Sequence, residues 1–247
     1  MSLGSVQLSV VVPVFNETGN IAPLHKEIME AVSKTGLSAE IIIVDDASTD
    51  NTLFELKQLK WVKVICLMRH YGQSCALDAG IKNARGDIIV TLDGDGQNDP
   101  AAIPSLLVKL NEGYDAVCGW RIKRMDSLGK RFVARGAGVL LRILFDNRVH
   151  DAGCTLRICR RQCFEGMDLY DGLHRMIPAL LKWQGFKITE IPVNHRRRLY
   201  GRTKYNWTRI IQGFMSMVCV WFWRIFLRHP PRASKKYLIK EVYEFGA

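Results

Sequence analysis

The stretch Asp87-Ile-Ile-Val-Thr-Leu-Asp-Gly-Asp-Gly-Gln-Asn-Asp-Pro100 decides the fold prediction for this chain. Its apolar first half is typical of a buried strand, and its Asp-Pro ending is typical of the start of a helix. Between these parts Asp93, Asp95 and Gln97 alternate with glycines, so an extended backbone sends their three side chains in roughly the same direction. The stretch therefore predicts a group of oxygen ligands at the carboxyl end of a strand.

Two carboxylates and one amide oxygen suit a hard divalent ion, Mg²⁺ or Mn²⁺, which keeps positions open for substrate phosphates. The predicted metal ligands are thus Asp93, Asp95 and Gln97. The alternative is a plain loop in which Asp and Gly residues make a turn and cap the following helix. The preceding strand and the rest of the chain favour the metal site.

Other apolar runs also alternate with helix patterns. Strands are predicted over residues 8–14, 40–46, 62–68, 115–119 and 187–193, and helices over 74–84, 128–145, 162–169 and 174–184. After the first strand, Asn20 is a candidate helix cap, and apolar residues recur at helical spacing: Ile21, Leu24, Ile28, Ala31 and Val32. Strands that alternate with helices predict an α/β fold, a mostly parallel sheet covered on both faces.

In such sheets, ligands bind outside the carboxyl ends of the strands. Three predicted loops at that edge carry the pairs Asn16/Glu17, Asp45/Asp46 and Asp93/Asp95, which we expect to meet in one crevice. The first loop is not a G-x-G-x-x-G turn, so the strongest signal for a dinucleotide site is missing.

With 247 residues and 48% hydrophobic content, the chain is large enough for one substantial core, and we expect one domain with a C-terminal extension. Its seven cysteines include no C-x-x-C pair, so neither a zinc site nor a disulfide framework is expected. The odd number of cysteines, together with the lack of a signal peptide pattern, favours a reducing cytoplasm.

Charge divides the chain into two halves. Residues 1–118 carry 9 Lys and Arg against 15 Asp and Glu, whereas residues 119–247 carry 26 against 9. A basic half joined to an acidic, metal-binding half is compatible with nucleic acid, an anionic membrane or a phosphate-bearing substrate, and charge alone does not choose among them.

Several motifs together resemble family 2 glycosyltransferases of the GT-A fold. In chain order they are Val12-Pro-Val-Phe-Asn-Glu17, Val44-Asp-Asp-Ala-Ser-Thr-Asp50, Arg85-Gly-Asp87, Asp93-Gly-Asp95-Gly-Gln97, Asp151-Ala-Gly-Cys-Thr-Leu-Arg157 and Arg198-Leu-Tyr-Gly-Arg-Thr-Lys-Tyr205. More narrowly, residues 8–228 resemble the polyprenyl-phosphate sugar transferases, such as dolichyl-phosphate mannose synthases and undecaprenyl-phosphate aminoarabinose transferases. The resemblance implies transfer of a sugar from a nucleotide-sugar donor to a polyprenyl phosphate.

The resemblance also implies roles for single residues. Positions that hold the nucleotide-sugar are Pro13, Phe15, Glu17, Asp45, Asp46, Asp93, Arg121 and Lys204, with Asp45 supporting its loop. Positions around the acceptor phosphate are Arg131, Arg157 and Arg198, and the residues expected to carry catalysis are Asp93, Asp95, Arg131 and Arg198. Relatives often have Ala and Leu where this chain has Gly94 and Gly96, which predicts a more flexible loop here.

The chemistry explains why these residue types are needed. A nucleotide-sugar donor loses a diphosphate, and a divalent ion aided by arginines stabilises the charge that develops on the leaving oxygen. A lipid phosphate is already ionised at neutral pH, so it needs a basic cradle and no general base. For this reason the run Arg196-Arg-Arg198 is interpreted as a phosphate contact, since guanidinium groups bind phosphate oxygens bidentately.

Residues 210–227 form an apolar segment whose only charged residue is Arg224, and tryptophans lie within and before it. Eighteen residues are close to the lower limit for a membrane span. Gln212, Ser216, Cys219 and Trp223 recur as a narrow polar stripe. We interpret the segment as a helix that lies in the membrane interface, with a full span and a core helix as the alternatives.

The resulting organisation is a catalytic domain over 8–206, divided at 118/119 into a nucleotide- and metal-binding half and a basic acceptor half. A membrane-interface helix over 207–228 and a basic tail over 229–247 follow. The protein is expected at the cytoplasmic face of the inner membrane, peripheral or anchored, and a homo-oligomer is left open. No nucleic-acid partner is expected, because no recognition motif accompanies the charge.

Three alternatives to this function were weighed. The first is a glycosyltransferase with a saccharide acceptor. The second is a phosphatase of the haloacid dehalogenase type, in which the first Asp of Asp-x-Asp-Gly is the nucleophile. The third is a basic protein that binds nucleic acid or a membrane surface. The resemblance to bacterial undecaprenyl-phosphate transferases implies UDP in preference to GDP as the donor nucleotide.

Overall fold

Eight strands pair into one sheet in a computed structural model, which describes residues 5–122, 149–170, 172–198, 207–227 and 237–246. The strands are β1 (Leu8–Val14), β2 (Ala39–Asp45), β3 (Val62–Leu67), β4 (Ile88–Thr91), β5 (Ala116–Arg121), β6 (Arg157–Arg160), β7 (Ile188–Val193) and β8 (Ile239–Phe245). Their order across the sheet is β7-β5-β6-β4-β1-β2-β3-β8. Neighbours pair in parallel except for β6, which is antiparallel to β4 and β5, and β8, which is antiparallel to β3.

Helices cover both faces of this sheet. They are α1 (Ile21–Ser33), α2 (Thr52–Leu56), α3 (Gln73–Lys82), α4 (Ile103–Leu110), α5 (Ile177–Trp183) and α6 (Trp207–Phe226). One hydrophobic cluster packs α1, α2 and α4 against one face, and a second packs α3, α5 and α6 against the other. The predicted mostly parallel sheet with two covered faces is confirmed.

Helix α1 shows how the sequence pattern becomes packing. Its five apolar residues at helical spacing are all buried, as predicted, because together they form the face that lies on the sheet. The predicted cap at its start is wrong. Asn20 has helical backbone angles, and its side-chain amide donates to Glu17 Oε2 at 2.9 Å instead of accepting a hydrogen bond from the helix.

Two strands were not predicted. Strand β6 is only four residues long and has an arginine at each end, so its sequence lacks a recognisable apolar run. Strand β8 alternates apolar and charged residues at the sheet edge, within the segment that we had assigned to a basic tail. Charged side chains are common on edge strands because they oppose pairing with other chains.

Two predicted helices differ from the observed elements. Residues 161–164 form a short 3₁₀ helix where a helix over 162–169 was predicted. The predicted helix over 174–184 begins with a 3₁₀ turn at residues 173–176 and continues as α5. The predicted helix over 128–145 lies outside the described residues.

Candidate active site

The loops that follow β1, β2 and β4 leave the same edge of the sheet, because these three strands are parallel neighbours. They carry Glu17, Asp45/Asp46 and Asp93/Asp95. The three acidic loops predicted from the sequence therefore share one edge.

Asp46 holds the loop that follows β3. Its two carboxylate oxygens accept hydrogen bonds from the backbone N–H groups of Tyr71 and Gly72, each at 2.7 Å, and His70 Nδ1 lies 2.8 Å from Oδ2. Burial raises the pKa of Asp46, and the two N–H donors oppose that shift. The Asp46 carboxylate therefore holds this loop against the end of β2.

Asp45 supports the loop that continues β2, because its Oδ1 accepts a hydrogen bond from Ser48 N at 3.2 Å. The side chain is buried, and this burial raises its pKa.

An aromatic surface lies above this part of the crevice. The Phe15 ring stacks on the His70 imidazole, with ring centroids 3.9 Å apart and an angle of 24° between the planes. Pro13 lies near the end of β1, two residues before Phe15. His70 was not among the site residues predicted from the sequence, although the loop after β3 places it at the same sheet edge as the acidic loops.

Asp93 lies beside a residue that the sequence analysis missed. Gln73, the first residue of α3, donates from Nε2 to Asp93 Oδ1 at 2.5 Å. Burial raises the pKa of Asp93 to about 6, and the negative charge of Asp95 adds to the shift. Two carboxylates that repel each other in this way form a natural place for a cation.

The two glycines of this loop, Gly94 and Gly96, are required for different reasons. A Cβ at Gly94 would lie 2.5 Å from Val14 Cγ1 and 3.1 Å from Pro13 O, so glycine is required where the loop crosses the end of β1. Gly96 has a φ of +71° and open space around it, and it is required for its backbone conformation.

Gln97 connects the loop to residues 195–198. Its side-chain Nε2 donates to Arg196 O at 3.3 Å, and Arg196 N donates to Gln97 O at 2.9 Å. An isolated β-bridge joins Asn98 to His195. The predicted metal loop and the predicted basic segment are thus held together through their backbones.

Arg121 is paired with Asp151, to which its Nε and Nη2 donate at 2.6 and 2.9 Å. This pair joins the end of β5 to the loop that precedes β6. The guanidinium is largely buried, and the bidentate geometry fixes its orientation.

Arg157, which the resemblance placed around the acceptor phosphate, is buried. It is 1% exposed, and its terminal nitrogens donate to the backbone carbonyls of His174 and Ala152 at 2.9 and 2.8 Å. Through these two hydrogen bonds the guanidinium braces the loops that contain His174 and Ala152.

Arg196 also differs from the predicted phosphate contact. Its Nη1 donates to both carboxylate oxygens of Glu27, at 2.8 and 2.7 Å, and its Nη2 donates to Asp99 Oδ1 at 2.7 Å. These bonds turn the side chain towards α1 and away from the crevice.

Arg198 lies between two of the predicted site carboxylates. Its Nη2 donates to Asp95 Oδ2 at 2.6 Å, and its Nη1 lies 3.5 Å from Glu17 Oε1. Arg131 and Lys204, which complete the predicted set, lie outside the described residues. Within the described ranges, no cluster of three or more His, Cys, Asp and Glu side chains has an arrangement suited to a metal ion.

Helix α6 packs on the domain through one side and exposes apolar side chains on the other. Ser216, Met217 and Val220 are buried, and Cys219 and Trp223 are half-buried, so the predicted polar stripe faces the protein from residue 216 onward. The side chain of Gln212, its first member, lies outside the described part of the chain. The exposed residues, each 38–65% accessible, are Met215, Val218, Trp221, Phe222, Ile225 and Phe226. Among the helices in the described residues, none combines the length and apolar character that a membrane span requires.

Comparison with known proteins identifies the family. Residues 9–167 match the model of glycosyl transferase family 2. Dodecaprenyl-phosphate galacturonate synthase from Rhizobium johnstonii is 35% identical over 237 residues, which is 92% of this chain and 69% of that protein. The chain belongs to glycosyl transferase family 2, and it is a glycosyltransferase. The haloacid dehalogenase and non-enzyme alternatives are therefore wrong.

Solved structures confirm the GT-A-like fold. A complex of glucosyl-3-phosphoglycerate synthase from Mycobacterium tuberculosis with Mn²⁺, UDP-glucose and phosphoglyceric acid superposes with a TM-score of 0.68 at 19% identity, over 93% of this chain and 82% of that one. A mannosyltransferase from Pyrobaculum calidifontis in complex with GDP-Man and Mn²⁺ gives a TM-score of 0.60 at 17% identity, over 86% of this chain and 64% of that one.

Proposed function

We propose that this protein transfers a sugar from a nucleotide-sugar, with UDP as the nucleotide, to a polyprenyl phosphate at a membrane surface. The observation that carries the proposal is the 35% identity to a dodecaprenyl-phosphate sugar synthase over nearly the whole chain. The acidic crevice, its neighbouring arginines and the exposed apolar side of α6 each supply a part that such a reaction needs.

The crevice has the chemistry of a divalent metal site. Asp93 and Asp95 are close enough for the charge of Asp95 to raise the pKa of Asp93, and Gln97 follows on the same loop. Mg²⁺ or Mn²⁺ would be held by Asp93, Asp95 and Gln97, and when bound it would stabilise negative charge on the diphosphate leaving group. Both solved relatives described above contain Mn²⁺, which supports this choice.

The nucleotide part of the donor fits the edge formed by β1, β2 and β3. Phe15 and His70 provide a stacked aromatic surface for the base. Asp46 fixes the backbone of residues 70–72, and so holds His70 in place. Pro13 and Glu17 belong to the same edge. In this proposal Asp46 is a positioning residue, and Phe15 and His70 contact the base.

Arginine side chains would bind the phosphates of the donor and the acceptor. Arg121 is held by Asp151, and Arg198 lies over Asp95. With Arg131 and Lys204, they would bind the donor diphosphate and the acceptor phosphate and hold them in line for displacement at the sugar carbon. The acceptor phosphate is already ionised, so none of these residues has to remove a proton from it.

Helix α6 would bring the active site to the lipid. Its exposed apolar residues recur at spacings of three and four, as Met215, Val218, Phe222 and Ile225 do, and so form a continuous strip. Such a strip is unfavourable in water and favourable in the interfacial region of a bilayer. We therefore place the protein peripherally at the cytoplasmic face of the membrane.

The donor is tested by thermal-shift measurements with UDP, GDP and their sugars, including UDP-galacturonate, with and without Mn²⁺. UDP compounds with Mn²⁺ should give the largest rise in Tm, because ligands that bind only the folded state stabilise it. A larger rise with GDP compounds would contradict the choice of UDP. No rise with any nucleotide would contradict the donor class itself.

The membrane contact is tested by flotation with vesicles of phosphatidylglycerol and phosphatidylethanolamine. The wild-type protein should float, and the triple variant Val218→Ser, Trp221→Ser, Phe222→Ser should stay in solution while still binding UDP with Mn²⁺. A matched control replaces the exposed apolar residues Phe54 and Val108, which lie on α2 and α4. Equal flotation of the wild-type protein and the triple variant would contradict the assignment.

A further inference from the structure

Arg198 contacts the carboxylate that the proposed function assigns to the metal. We propose that Arg198 is an exchangeable counter-ion: it neutralises Asp95 until the metal and the donor diphosphate bind, and then transfers to a phosphate. This inference rests on the proposed metal site at Asp93, Asp95 and Gln97. It adds a competition between a side chain and the metal for the same oxygen.

The contacts of Asp95 show where the competition occurs. Its Oδ1 accepts a hydrogen bond from Gln97 N at 3.0 Å, and its Oδ2 accepts the hydrogen bond from Arg198 at 2.6 Å. The backbone bond is part of the turn and stays with the loop. A metal ion that approaches Asp95 therefore has to share or replace the oxygen held by Arg198.

Burial makes this contact stronger than a surface ion pair. The side chains of Arg198, Asp95 and Glu17 are 21%, 13% and 8% exposed. In such surroundings charges interact more strongly than in water, so the guanidinium offsets the repulsion between Asp95 and Glu17. A divalent cation beside Asp95 would weaken the hold on Arg198, because two cations would then share the Asp95 carboxylate.

The backbone allows Arg198 to move without disturbing the loop. The bridge between Asn98 and His195 and the hydrogen bond from Arg196 N to Gln97 O fix the segment two residues earlier. The Cα of Arg198 is thereby kept near the crevice, and rotation about its side-chain bonds is sufficient to carry the guanidinium from a carboxylate to a phosphate. Arg suits both partners, because its fork matches carboxylate and phosphate oxygens alike.

Two consequences follow for binding. Metal alone should bind weakly, since it has to displace Arg198 while no phosphate is available to receive it. Metal and nucleotide should bind cooperatively, because the diphosphate supplies the new partner, and this coupling is reciprocal. Removal of the Arg198 guanidinium should therefore strengthen the binding of metal alone. It should also reduce the factor by which the nucleotide raises the metal affinity.

The experiment is a titration of the full chain with Mn²⁺, followed by electron paramagnetic resonance of the free ion, with and without UDP. The variants are Arg198→Ala and Arg198→Gln, where Gln keeps polar bulk without charge. Arg197→Ala is the matched control, since it removes the same charge from an exposed neighbour. Asp95→Asn tests the metal site independently of Arg198, and thermal unfolding confirms that each variant is folded.

Without UDP, both Arg198 variants should bind Mn²⁺ on the order of tenfold more tightly than the wild-type protein, as expected when a cation is removed beside a divalent ion. The control should change the affinity by less than about twofold, because exposed charges are screened. UDP should raise the Mn²⁺ affinity of the Arg198 variants by a smaller factor than that of the wild-type protein.

Unchanged or weaker Mn²⁺ binding in both folded Arg198 variants would overturn the exchange, provided that Asp95→Asn loses binding. If Asp95→Asn binds Mn²⁺ as well as the wild-type protein does, the metal site itself is wrong, and the exchange fails with it. A tenfold gain in Arg197→Ala would also overturn the inference, because the effect would then come from net charge and not from the contact with Asp95.

Discussion

Arg157 and Arg198 were both expected to hold a phosphate, and they lie in very different surroundings. Arg157, at the start of β6, is 1% exposed and donates to two backbone carbonyls. Arg198 follows β7, remains partly exposed and contacts two carboxylates. Carbonyls in a folded backbone are permanent partners, whereas site carboxylates can exchange one cation for another. The two sets of partners therefore suit two different roles, a structural brace at Arg157 and the proposed phosphate contact at Arg198.

The largest effect on sugar transfer is expected from a change at Asp95, the carboxylate that Arg198 contacts. Asp95→Asn should lower sugar transfer by about 10³-fold or more, because the charge that neutralises the leaving group would lose its main ligand. Steady-state kinetics with nucleotide-sugar and polyprenyl phosphate measure the loss. Glu112→Gln, a change at an exposed residue after α4, is the control and should stay near the wild-type rate. Wild-type turnover in Asp95→Asn would remove the metal from the mechanism.

The bracing role of Arg157 is tested by the free energy of unfolding of the protein. Arg157→Ala should lower the free energy of unfolding by about 3 kcal/mol, because the buried carbonyls of Ala152 and His174 lose their donors and a cavity remains. Urea denaturation measures this, and Arg198→Ala is the matched comparison, with a smaller expected loss because water can reach the partly exposed carboxylates that it leaves behind. Equal destabilisation by the two substitutions would show that burial does not distinguish these arginines.

The rate of sugar transfer tests the role of Arg198. Arg198→Ala should lower kcat/KM by about 10²-fold while the protein stays folded, since the variant lacks a donor for a reacting phosphate. Arg197→Ala provides the control for the loss of one positive charge at this surface. A rate for Arg198→Ala equal to that of the control would show that Arg198 does not act on a phosphate.

A smaller effect, on thermal stability, is expected from Asp93 in protein from which metal has been removed with EDTA. Burial and the charge of Asp95 raise its pKa from a usual value of 3.8 to about 6, so the folded protein holds this proton more tightly than the unfolded chain does. The resulting stability is present below about pH 4 and is lost as pH rises through 6.

Asp93→Asn should therefore raise Tm relative to the wild-type protein at pH 7, and this difference should disappear near pH 4. Differential scanning calorimetry across this range measures the effect. A constant difference between the two proteins at all pH values would contradict the assigned pKa. The same experiment with Mn²⁺ should reverse the ranking at pH 7, because the metal stabilises only the protein that retains its ligand.

The sequence predicted the acidic half of the site well for a physical reason. Strands β1, β2 and β4 are buried apolar runs, and parallel pairing places their carboxyl ends at one edge whatever the details of packing. Residues directly after those runs, such as Glu17 and Asp93, could therefore be located without a structure. The same argument would have located His70 after β3.

The arginines could not be placed in this way, because a long flexible side chain reaches partners in several directions. Arg196 and Arg198 are two residues apart, yet one turns to Glu27 and Asp99 and the other to Asp95. The short strand β6 and the edge strand β8 were missed because charged residues interrupt their apolar patterns. Gln73 was missed because its role depends on the contact between α3 and a distant loop.

The central claim, transfer to an ionised lipid phosphate, is tested most directly by comparing two acceptors that differ in one group. Purified protein, labelled UDP-sugar and Mn²⁺ are incubated in vesicles with either a polyprenyl phosphate or the corresponding polyprenol, and the organic phase is counted. Label should enter the organic phase with the phosphate only, because the site has been assigned cations for an ionised acceptor and no general base for an alcohol. Equal labelling of the polyprenol, or transfer only to a saccharide, would contradict the account.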